Sequence, residues 1–143
     1  MRRPTRLIPL AAVATALLLV PSPASAHDVM LVAHLTADQE VPPGPAGASG
    51  HANLVVNGDT GKVCYELTMV TGIGAVTMAH IHRGAAGTNG PPVVTLDAGP
   101  AGCVSGDPAA VQDVEVNPGG YYVNLHTADF PGGAIRGQLA PAG

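Results

Sequence analysis

Aromatic residues are scarce in this chain: there is no tryptophan, one phenylalanine and three tyrosines. An aromatic-rich core is therefore excluded, and burial falls to Val, Leu, Ile and Ala. Charge is equally sparse, at 11% of residues. Six Lys and Arg stand against ten Asp and Glu, and half of those cations (Arg2, Arg3, Arg6) crowd the first six positions. Lys62, Arg83 and Arg136 are all that remain for the folded part. Too few cations are left to neutralise a row of phosphates, which excludes nucleic acid as a partner, and an anionic membrane surface with it. Sustained helical periodicity is also missing after residue 26, which argues against a helical bundle.

The first 26 residues read as a signal peptide. The three arginines form a positive n-region, Leu7 to Val20 is an apolar stretch short for a membrane span, and Ala24-Ser25-Ala26 is a small-x-small cleavage site. The expected organisation is a signal peptide at 1–26 and one domain at 27–143, secreted and free of the membrane after cleavage. Cysteine is limited to Cys64 and Cys103. Two are too few for a disulfide-dense scaffold and too far apart for a CxxC redox motif. In an exported chain an even pair predicts a Cys64–Cys103 disulfide.

What the chain does have is glycine (19), proline (14) and short apolar alternations between turn signals. Strands are predicted at 29–36, 49–57, 62–70, 75–83, 92–97, 120–127 and 133–140. "NGDTG" (57–61) is a hairpin turn, and 98–118 reads as loop with a helical turn near Pro108 to Gln112. The count of short strands predicts an all-β fold: a Greek-key β-sandwich or barrel of about seven or eight strands, superoxide-dismutase-like or immunoglobulin-like. The core phases are Ala52/Leu54/Val56, Val63/Tyr65/Leu67/Met69, Ile81, Val123/Leu125 and Ile135/Leu139. Met78, His80 and His82, then Tyr122, Asn124 and His126, then Arg136 and Gln138, take the opposite, outward phase.

"MAHIHRG" (78–84) carries the chemistry. Two histidines two apart on a strand share one face, with backbones about 6.5–7 Å apart. His126, outward on a later strand, is the natural third imidazole. Three neutral nitrogens suit copper or zinc rather than calcium or magnesium. Met78 on the same face is a possible additional ligand that favours Cu(I). His27 would become an N-terminal chelator after cleavage at Ala26. His34 and His51 read as exposed strand histidines. "GAAGTNG" (84–90) has no P-loop lysine and opens no helix, no serine sits in a nucleophile elbow, and no carboxylates pair closely.

"LTADQEVPP" (35–43), "AHIHRGAAGTNGPPVVTL" (79–96) and "GYYVNLHTADFPGGAIRGQL" (120–139) resemble, in family order, the sequence blocks of the CHRD domain. That module is repeated in the animal protein chordin and found singly in secreted bacterial proteins. The resemblance implies a secreted β-sandwich-like domain. More distantly, "TGIGAVTMAHIHRGAAGTNG" (71–90), "YYVNLH" (121–126) and "GGAIRG" (132–137) are similar to copper/zinc superoxide dismutase segments. That similarity implies His80, His82 and His126 as copper ligands and Arg136 as an anion-steering residue in a redox-active site. No histidine lies between His82 and His126, so the zinc-site histidines of that family have no counterpart here. Three readings follow: a copper-binding secreted domain with a surface three-histidine site; a non-catalytic module meeting an extracellular protein, a glycan or a cell-wall component; and a copper-dependent oxidoreductase.

Overall fold

The structure, a computed structural model, describes residues 27–143; the stretch read as a signal peptide lies outside the described residues. Nine strands form one antiparallel sheet: β1 Val29–Thr36, β2 Ser49–Asn57, β3 Lys62–Thr71, β4 Val76–Arg83, β5 Pro92–Leu96, β6 Ala101–Ser105, β7 Tyr121–Thr127, β8 Ile135–Gln138 and the short β9 Ala140–Pro141. The order is β5-β4-β7-β8-β1-β2-β3-β6, with β9 pairing β1. Its two ends, β5 and β6, touch, so the sheet curls into a nearly closed barrel. Around that barrel β7 returns beside β4, outside the β4–β5–β6 run, which is a Greek-key connection. The all-β expectation holds.

The alternation that predicts the strands also fills the barrel. Leu54, Val56, Val63, Ile81, Val123, Leu125, Ile135 and Leu139 are all buried in one cluster. The "NGDTG" turn closes β2 onto β3 through Asn57, whose Oδ1 accepts from the Thr60 amide at 3.0 Å and the Thr60 hydroxyl at 2.9 Å. Gly61 adopts φ +70° there, where a side chain would be strained. Cys64 and Cys103 face each other across β3 and β6 and form the disulfide.

Three local readings need correction. The 98–118 segment is more ordered than a loop with one helical turn: it holds β6, and the expected turn at Pro108 extends into a helix, α1, at Pro108–Val116, followed by a 3-10 turn at Pro118–Gly120. Asp107 caps α1 by accepting from the Ala110 amide at 3.0 Å, with proline in the first turn. Val111 and Val114 bury one side of α1 in the core. Met69 leaves the core phase of β3, with φ 53° and 75% exposure, because the pairing with β2 shifts register between Thr68 and Thr71. The outward phase of β7 and β8 is not open to solvent, since every residue of β7 is buried. The connections β1–β2, β4–β5 and β7–β8 lie over that outer face as a second, polar layer, and Asn89 Nδ2 joins two of them by donating to Val41 O at 2.8 Å.

Candidate metal centre

The pairing of β4 with β7 sets Met78 opposite His126, His80 opposite Asn124 and His82 opposite Tyr122. Ala79 and Ile81 are fully buried in the barrel, so His80 and His82 stand on its outer face, with His126 diagonal to His80. The three imidazoles converge: each offers one nitrogen, and these nitrogens all lie within 4.8 Å of one another. His80 Nδ1 and His126 Nε2 are 3.0 Å apart. The cluster is sunk rather than superficial, because His126 is 6% exposed and His80 and His82 are half-buried.

Hydrogen bonds select the tautomers. His82 Nδ1 donates to Gly90 O at 2.8 Å, and His126 Nδ1 donates to Pro131 O at 2.9 Å. In each ring the proton is held on Nδ1, and the lone pair on Nε2 is directed inward. His82 Nε2 is buried without any hydrogen-bond partner. His82 also stacks on Tyr122, with ring centroids 4.9 Å apart and planes 9° from parallel. Burial holds the His80 imidazole below its ordinary pKa, with His126 and His82 adding repulsion. Burial does the same to His82, and the Gly90 carbonyl acts in the opposite sense. The net effect in both rings favours the neutral imidazole, which is the ligating form.

Both orienting carbonyls belong to the covering loops, and a buried ion pair anchors the loop that carries Gly90. Arg136 Nε donates to Glu40 Oε2 at 2.9 Å, with both side chains nearly inaccessible. Its terminal nitrogens donate to Thr88 O at 2.8 Å and Asn89 Oδ1 at 2.6 Å, and its guanidinium lies 4.5 Å from the Tyr122 ring centroid. Asn124 Nδ2 donates to the other Glu40 oxygen at 2.7 Å. Gly133 seals the far side: at φ +132° a Cβ there would sit 2.3 Å from Asn124 Nδ2. Arg136 is thus not an outward cation drawing anions from solvent, since it is sealed under the loops and neutralised by Glu40. Gln138 remains partly accessible and donates to Gly84 O and Gly119 O.

Glu40, the partner that explains Arg136, carries no strand signal, being part of a Pro/Gly connector; the acid in "LTADQEVPP" was its only trace. Met78 is 45% exposed beside His126. His27 does not join the cluster, because its Nε2 lies 2.9 Å from Glu115 Oε1 on α1. His34 and His51 sit on β1 and β2, away from the triad.

These features define a disulfide-stapled all-β domain that holds three imidazoles under loops on one sheet face. The chain belongs to the CHRD domain family, whose model matches residues 31–139, from β1 to the last residue before β9. No curated protein and no solved structure matches the chain. Among the described residues, no helix is long and apolar enough to cross a membrane.

Proposed function

We propose that this CHRD-domain protein is exported by its N-terminal 26 residues and binds copper outside the cytoplasm, with His80, His82 and His126 as ligands. The observation that carries this reading is His82 Nε2. A buried nitrogen with no partner costs on the order of 1–3 kcal/mol unless something else satisfies it, and here its ring belongs to a cluster in which one nitrogen from each of three imidazoles lies within 4.8 Å of the others. A disulfide between β3 and β6 supports an oxidising compartment.

The ring spacing favours copper over zinc. Imidazoles on a tetrahedral ion at 2.0–2.1 Å would hold every pair of ring centroids roughly 5.2 Å apart. Here the His80–His126 and His80–His82 centroids are 4.9 and 5.4 Å apart, while His82–His126 is 6.3 Å. One wide angle suits the tetragonal preference of Cu(II) better than a closed zinc tetrahedron. Met78, half-exposed at the rim, offers a soft thioether to Cu(I). Three protein nitrogens leave coordination positions for water or another ligand, and bound copper would supply Lewis acidity and one-electron chemistry there. The chain's own residues favour the neutral form of His80 and His82 and fix the tautomers of His82 and His126, while Met78 stands exposed at the rim.

Metal analysis and calorimetric titration of the purified protein with Cu(II), and with Cu(I) under reductant, test the proposal. One tight equivalent should bind, and His82→Ala should weaken it by at least tenfold. Equal affinity in parent and variant would leave the polar face to the alternative role of meeting an extracellular protein or a glycan.

A further inference from the structure

We propose that His34 and His51 form a second, solvent-facing metal site on the same outer face of the sheet. The register of β1 with β2 places the two residues directly opposite each other. Leu31, Ala33 and Leu35 fill the barrel from β1, so His34 points outward; it is exposed, and His51 is half-buried. The ring centroids lie 4.9 Å apart at 38°. Two imidazoles bound to one ion at 2.0–2.1 Å, with an angle near 100° between them, place their centroids roughly 5 Å apart. The metal-free pair already stands at that spacing.

The backbone beneath the pair is tied down. Gln39 Nε2 donates to the His34 carbonyl at 3.0 Å and to Thr36 Oγ1 at 2.8 Å, leaving the rings themselves free of Gln39. Asp38 lies within electrostatic reach of His34 and adds negative charge beside it. Two imidazoles completed by water are a donor set for a borderline divalent cation such as Cu(II), Zn(II) or Ni(II), and a poor one for calcium or magnesium.

The site is separate from the triad. Thr36 pairs with Arg136 and Val32 with Ala140, so His34 falls opposite Gln138. Gln138 pairs with Tyr122, and Tyr122 with His82. His34 and His82 are therefore three strand spacings apart, roughly 14 Å along the sheet, and share no ligand. With two imidazoles instead of three, binding at the pair is weaker than at the triad.

Titration of the whole protein with Zn(II) and with Cu(II), by calorimetry and by nuclear magnetic resonance of the histidine ring protons, tests the pair independently of the triad. The parent should take up a second equivalent, with the His34 and His51 signals perturbed together. Both substitutions lie at accessible positions, so His34→Ala and His51→Ala should fold, and each should remove that equivalent or weaken it at least tenfold. If the triple variant His80→Ala/His82→Ala/His126→Ala folds, it should keep one equivalent that His34→Ala abolishes. Loss of the weaker equivalent in the pair variants, with no tight one in the parent, would support the pair and overturn copper at the triad. A second equivalent that survives both pair substitutions, or a parent that binds only one ion and loses it with the triad, would overturn the pair.

Discussion

Arg136 does its work through hydrogen bonds rather than through its field. It holds Thr88 and Asn89 in the loop whose Gly90 carbonyl orients His82, and its charge is cancelled by Glu40 within the same buried pocket. Arg136→Met should therefore cost about 3–5 kcal/mol, because the Glu40 carboxylate is left buried and unpaired. Adding Glu40→Gln should recover much of that loss, since no charge then remains to be solvated, and denaturant melts of the single and double variants would show it. Arg136→Met should also change the Cu(II) paramagnetic resonance spectrum of the loaded protein, as His82 loses its fixed carbonyl. An unchanged spectrum would mean that the ion pair stabilises the fold without positioning the ring. A contrasting residue is Ile81, between the two histidines and fully buried on the other face. Ile81→Asp places a carboxylate in an apolar barrel and should lower stability by more than about 4 kcal/mol, read from the same melts.

At the scale of elements, strand periodicity made most of the barrel legible. A side-chain period of two is a local property, so His80 and His82 had to share a face, and Ile81, Leu125 and Ile135 had to share the opposite one. What that period does not encode is what lies on top. His126, Asn124 and Arg136 take the outward phase and are nevertheless buried, because three connecting loops fold across β4, β7 and β8. Such coverage is set by contacts distant in sequence, such as Glu40 with Arg136, and leaves no periodic mark. Helix α1 was legible only as a helical turn near Pro108 to Gln112, for another reason. It is nine residues long and buries only Val111 and Val114, too short a stripe to read, though its Asp107-Pro108 start was a usable signal. The disulfide follows from register as well as count, since Cys64 and Cys103 are direct cross-strand partners. It ties the edge strand β6 to β3 across a separation of 39 residues. In the chain-entropy account its loss should cost about 4 kcal/mol. Cys64→Ser/Cys103→Ser should thus shift the denaturant midpoint down while leaving copper stoichiometry intact, because neither cysteine lies near the triad.

For the molecule as a whole, proton binding, metal binding and folding act on the same imidazoles. His80 and His82 titrate below the ordinary value of 6.5 in the folded chain. Without metal, the unfolded chain therefore binds more protons than the folded one in the window between 6.5 and those lowered values. The contribution of the two neutral rings to stability is then fully present above pH 6.5 and lost as pH falls through that window. Copper adds to this from the folded side. At a free concentration one hundred times its dissociation constant, a ligand that binds only the folded state stabilises it by about 2.7 kcal/mol. Because burial depresses both pKa values, protons compete less than they do at free imidazole, and copper should stay bound further into acid. Thermal melts from pH 7.5 to 4.5, with and without Cu(II), should show the copper-induced rise in melting temperature persisting below pH 6.5 and then collapsing. In His82→Ala the rise should be small throughout, and the metal-free acid sensitivity should diminish, since one of the two depressed groups is gone. A copper-induced rise that faded with a midpoint at pH 6.5, as for solvated imidazole, would mean that the ion sits on exposed histidines instead of beneath the loops.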